Sequence, residues 1–132
     1  MLVLHVTVRV KPERVASHRS LGIVRLMQGR PALAEAAYRA ALKVRPGDVQ
    51  SHFGLWTALE RQGHTREAET AYRAAIAVSP ELAEAHARLG HVLARQGRWR
   101  EAEVAYREAV RLEPGNARSR VALGAILRRA GR

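Results

Sequence analysis

Between residues 83 and 114 the apolar residues fall twice at helical spacing. Ala85, Leu89, Val92 and Leu93 form one stripe, and Trp99, Ala102, Ala105, Tyr106, Ala109 and Leu112 form another. Each stripe predicts an amphipathic α-helix. Gly97 stands between them, where a residue in the left-handed conformation would close the first helix. Pro114, followed by Gly115 and Asn116, would close the second. Neither helix could bury its stripe alone, so the pattern predicts antiparallel helix pairs that stack on neighbours. The N-terminus departs from this. Leu2, Leu4, Val6, Val8 and Val10 alternate with other residues at period two, and valine's β-branching favours a strand. Residues 4–12, LHVTVRVKP, nonetheless align with the helix end YRAALKVRP at 38–46. Three conformations stay open: a helix that still packs, a disordered segment, or a strand. A lone strand must pair with something, most economically its own copy. That would make a homodimer through Leu2, Leu4, Val6, Val8 and Val10.

The helix pair recurs. Proline stands at 12, 46, 80 and 114, and glycine at 29, 63, 97 and 131, both at the same constant interval. Tyr38, Tyr72 and Tyr106 share that interval, as do Ala34, Ala68 and Ala102, and Leu21, Leu55, Leu89 and Leu123. Such columns are the mark of a repeat array.

This pattern resembles the tetratricopeptide repeat (TPR) family, whose signature positions are W/L, L, G, Y, A, F/Y, A and P. The third unit offers His86, Leu89, Gly90, Leu93, Ala102, Tyr106, Ala109 and Pro114 in those places. The first two units fill them similarly. The resemblance implies an all-α fold, a right-handed superhelical stack of antiparallel helix pairs, in a single domain. Its parts would be an N-terminal extension (1–14), repeats at 15–48, 49–82 and 83–116, and a terminal helix (117–132). Two departures stand out. Trp56 replaces the small glycine of its column while Gly54 appears two positions earlier, and Arg25 replaces an aromatic residue or leucine. The chain also begins inside one repeat register and stops after the first helix of another. The last helix therefore reads as a cap, or the chain as a segment of a larger protein, one that could be an enzyme.

Composition removes other classes. The chain has 132 residues and no cysteine, so there is no disulfide framework, thiolate metal site or cysteine nucleophile. No apolar run approaches the ~20 residues of a membrane span. The N-terminus lacks the basic flank of a secretory signal, and the expected location is cytoplasmic. Arginine-over-lysine usage and abundant alanine fit a GC-rich bacterial genome. The net charge of +11 suggests an acidic partner. Residues 1–34 and 115–132 each carry +5, and the long stretch between them only +1. The basicity therefore belongs to the ends, where like charges would resist end-on stacking.

The histidines offer little chemistry. His18, His52 and His86 share one column, but equivalent helices lie ~8–10 Å apart, too far to share a metal at ~2 Å bonds. They read as a packing column. Glu35–Arg39, Glu69–Arg73 and Glu103–Arg107 are i,i+4 pairs that support a solvated helix face. No nucleophile elbow, phosphate loop or ligand spacing occurs, so no catalytic residue, metal or cofactor is expected.

Binding is what the resemblance implies. First helices of TPR units line a concave groove through positions 2, 5, 6, 9, 12 and 13. On that register Ile23, Leu26, Met27 and Phe53 make an apolar end, and Arg88, Arg95, Arg128 and Arg129 a basic end, with Arg19, Arg61 and His91 among the remaining lining residues. The expected function is a noncatalytic scaffold for a protein or peptide with apolar anchors and acidic residues, with self-association as a further option. The TPR subgroup that clamps chaperone-tail carboxylates needs lysine, asparagine and arginine at positions held here by Arg19, Ile23, Gly54, Glu84 and Arg88; that ligand class is rejected. A basic nucleic-acid-binding module is the alternative, disfavoured because stacking aromatics are scarce.

Overall fold

The computed structural model describes residues 12–131, and these form seven helices: α1 (Pro12–Met27), α2 (Pro31–Val44), α3 (Val49–Arg61), α4 (Thr65–Val78), α5 (Ala83–Arg95), α6 (Trp99–Leu112) and α7 (Ala117–Arg129). The all-α expectation holds. The segment containing Leu2, Leu4, Val6, Val8 and Val10, with its proposed strand pairing, lies outside the described residues. Starts of α2, α4 and α6 keep the interval of the sequence columns, as do those of α3, α5 and α7.

Glycine sets the stops of α1, α3, α5 and α7. Gly29, Gly63, Gly97 and Gly131 have φ of 71°, 70°, 74° and 75°, a conformation costly for a residue with a Cβ. After α5, the Gly97 N–H bonds the Ala94 carbonyl and the Arg98 N–H the Leu93 carbonyl, both at 3.0 Å. This pair of bonds satisfies carbonyls that the helix end would orphan. Starts are capped where a short polar side chain is present. Asp48 accepts from the Ser51 N–H at 3.2 Å before α3, and Asn116 from the Ser119 N–H at 3.3 Å before α7. Pro12 differs from its column mates. It opens α1 directly, a position where a missing N–H costs nothing.

The chain forms two compact units that divide within α3, after Ala58. In the first, α1 packs on α2 across a short turn. Its core is Val15, Ala34, Ala37, Tyr38, Ala41, Leu55 and Trp56. Trp56, the departure from the glycine column, is 0% exposed, with Phe53 edge-on at a centroid distance of 4.9 Å. Arg19 of α1 grips Asp48 with two bonds of 3.0 and 2.9 Å. In the second unit, α4 packs on α5, α5 on α6 and α6 on α7. Alanines 68, 71, 75, 85, 102, 105 and 109 are buried there beside Leu59, Leu89, Leu93 and Ile126. The small side chains let the backbones approach, and the larger ones fill what remains.

Candidate functional site

The second unit carries a hollow of about 650 Å³ whose lining comes from α4, α5, α6 and α7 with the last turn of α3. One hydrogen-bonded chain crosses it. The Tyr72 hydroxyl donates to Glu60 Oε1 at 2.6 Å. Arg88 donates to the same oxygen at 2.8 Å and to Glu84 at 3.0 Å. Burial first, then the bond to the Glu60 carboxylate, pushes the Tyr72 phenol well above its ordinary range. The tyrosine is therefore a fixed donor, not an acid–base group. Arg88 has its charge held up by Glu60 and Glu84 against the cost of burial.

The rest of the lining includes two arginines, Arg95 and Arg118, among neutral residues. His64, His91, Arg95 and Arg118 line the hollow, and all four are exposed. None of the four makes a salt bridge with a described acid. Of the residues expected from the repeat register, this hollow gathers Arg88, His91 and Arg95. Arg61 is exposed at the last turn of α3. Arg129 lies 5.2 Å from the Trp99 ring centroid, a cation–π contact. Arg128 lines a different hollow, with Val121. In the first unit Met27 is 82% and Ile23 48% exposed, whereas Leu26 and Phe53 are half-buried and Arg19 is engaged by Asp48. The Glu60–Tyr72 bond was not foreseeable from the register alone. Its only signal was an acid twelve positions before a tyrosine that otherwise serves the core.

Two members of the histidine column have a definite task. His52 Nε2 bonds the Pro46 carbonyl at 2.7 Å, and His86 Nε2 the Pro80 carbonyl at 2.8 Å. Each of these two rings donates across the turn to a proline that closes the preceding helix pair, so His52 and His86 tie a turn to the following helix. The glutamate column forms the expected pairs at 2.8, 3.2 and 2.9 Å, but its face is not fully solvated. Glu103 is only 9% exposed. Glu69 also bonds Arg98 at 2.8 Å, and Arg98 pairs in turn with Glu101 at 2.7 Å. Among the described residues no group of three or more His, Asp or Glu side chains is placed to hold a metal ion, and no described helix is long and apolar enough to cross a membrane.

The repeat is shared with known proteins. Tetratricopeptide repeat profiles match residues 83–116, residues 58–97 and residues 6–49 and 19–63. No curated protein matches the sequence. Among solved structures, the first TPR of Spaghetti (RPAP3) bound to the HSP90 peptide SRMEEVD is similar, with a TM-score of 0.82 at 20% identity, covering 95% of this chain and 99% of that one. The Yersinia enterocolitica type III secretion chaperone SycD, in complex with a peptide of the translocator YopD, has a TM-score of 0.80 at 17% identity over 92% and 98% of the two chains. MamA has a TM-score of 0.78 at 22% identity, over 94% of this chain and 72% of its own. These identities establish likeness of fold. With the recurring residue columns, the left-handed glycines and the profile matches, they lead to one conclusion: the chain belongs to the tetratricopeptide repeat family.

Proposed function

We propose that the protein is a noncatalytic interaction module whose second unit holds an extended acidic peptide segment in the hollow between Glu60 and Ala122. The observation that carries this reading is the charge arrangement of the lining. Arg88 is neutralised by Glu60 and Glu84, while Arg95 and Arg118 stay exposed beside it. Arginine side chains without acidic partners at a concave surface suit carboxylates, which they can grip with two parallel bonds. Peptide-bound relatives of the same fold support a peptide as the ligand class. Exposed Ile23 and Met27 in the first unit supply apolar contact area of their own.

Chaperone-tail peptides are a poor match. Arg19 and Arg88 are the two cations left at clamp positions, and each is tied to acids of this chain. The test uses a fluorescein-labelled peptide of repeating Glu-Glu-Leu and the paired substitution Arg95→Glu and Arg118→Glu. The wild-type chain is expected to bind it with an affinity that falls steeply with salt. The double variant is expected to lose binding while its thermal melt stays in place. Equal affinity in both proteins would sink the assignment. Tighter binding to a DNA duplex than to the peptide would move the chain to the nucleic-acid class.

A further inference from the structure

At two positions of one repeat column a tyrosine ring sits directly on a glycine of the neighbouring helix. A Cβ added to Gly22 would lie 2.7 Å from the Tyr38 ring, and one added to Gly90 2.8 Å from the Tyr106 ring. Each tyrosine comes from the next helix along the chain. Gly124 occupies the same column on α7, one repeat after Gly90. A Cβ there meets nothing within 4 Å. A hollow of about 400 Å³ opens over it instead, lined by Ala117, Arg120, Val121, Gly124 and Arg128. Val121, at its edge, is 69% exposed.

We propose that this face of α7 is a docking site for a partner's amphipathic helix, one that sets an aromatic ring among small residues and carries acids on its flanks. The ring follows from the two filled sockets, where an aromatic residue uses the space above the glycine. The helix follows from Tyr106, which is delivered between Ala102 and Ala109 of α6, both buried. The acids follow from charge. Residues 115–132 hold five arginines and no acid, and Arg120 and Arg128 flank the socket itself. A second copy of this chain is the wrong occupant. Its Tyr38, Tyr72 and Tyr106 are all buried, and two α7 faces would meet with like charge.

The test titrates the full chain against a fluorescein-labelled peptide of the α6 sequence in which Arg100→Gln, Arg107→Gln and Arg111→Gln leave Glu101, Glu103 and Glu108 as its charges, WQEAEVAYQEAVQL, read by anisotropy. Saturable binding is expected, weakening as salt rises. It should fall about tenfold when the peptide carries Tyr106→Ala, and about tenfold when the protein carries Gly124→Leu. That variant's helical circular dichroism and melting temperature confirm that it folds, and Gly124→Ala provides a smaller step along the same series. Unchanged affinity in Gly124→Leu overturns the proposal, since the peptide would then be entering at Gly90 in place of α6. Absence of saturation at about 1 mM peptide overturns it as well, as does binding indifferent to salt. A peptide-free dimer, seen by light scattering and abolished by Gly124→Leu, would give the face to a second copy instead.

Discussion

The Tyr38 ring fills the space that a side chain on Gly54 would need. A Cβ there would stand 2.2 Å from ring atoms Cε1 and Cζ, and the same ring covers Gly22 from α1. Tyr38 is thus held between two helices by two glycines, both irreplaceable by even a methyl group without displacing a buried ring. Gly54→Ala and Gly90→Ala are expected to destabilise by about 1–3 kcal/mol, the usual cost of overpacking. Gly124→Ala, with open space above it, is expected to stabilise by about 0.5–1 kcal/mol through helix propensity alone. Urea unfolding of the three variants reads the difference. Equal shifts of the same sign would show that the tyrosine sockets do not set glycine usage.

Trp56 stands where the repeat family places a small residue. It is fully buried in the first unit, against Phe53. Restoring the family pattern with Trp56→Gly is therefore expected to harm the protein, costing about 3–5 kcal/mol or unfolding it. Thermal melting of Trp56→Gly beside Trp56→Phe separates lost volume from lost aromatic contact.

Much of this was legible from residue columns. The repeat period is read directly from the recurring residues, while the Gly97 and Pro114 stops follow from backbone chemistry, and φ of 74° at Gly97 bears out its part. The binding surface was less legible because the register places a side chain on a face but does not say which neighbour it meets. Arg19 and Arg88 occupy ligand-facing positions by register, yet Asp48, Glu60 and Glu84 take their charge. Arg128 sits two turns from Val121 on the same helix and lines the hollow over Gly124 with it. The Gly54 exchange was visible as an anomaly, but its meaning needed the position of the Tyr38 ring.

Acid should unfold the chain partly through Asp48. Burial raises this carboxyl, but bonds from Ser51 and Arg19 and the Arg19 charge outweigh burial and hold it below its ordinary value. Glu69 is lowered in the same sense: burial raises it, and bonds from Gln96, Arg73 and Arg98 overcome that. A carboxylate with a depressed folded-state pKa binds fewer protons than its unfolded counterpart near that pH. Its stabilisation is thus complete above about pH 4–5 and is lost as pH falls through the folded value. Stability measured between about pH 6 and 2 should decline at the acid end, and Asp48→Asn should flatten that decline. A variant with the wild-type slope would remove Asp48 from the account.

Glu60 controls how much positive charge the concave hollow presents. It accepts from both the Tyr72 hydroxyl and Arg88, so it holds the arginine against the protein. Glu60→Gln keeps an acceptor for the hydroxyl but removes one of the two charges that neutralise Arg88. The Glu-Glu-Leu peptide should then bind about threefold more tightly, within the range of one partly exposed charge pair, and the gain should shrink with salt. The HSP90 peptide SRMEEVD, held by the similar TPR of Spaghetti, should stay a weak ligand in either protein because Arg19 remains locked to Asp48. Anisotropy titrations of both peptides against both proteins check this. If Glu60→Gln left the acidic peptide's affinity unchanged, Arg88 would not face the ligand, and the site would have to lie on the exposed cations Arg95 and Arg118 alone.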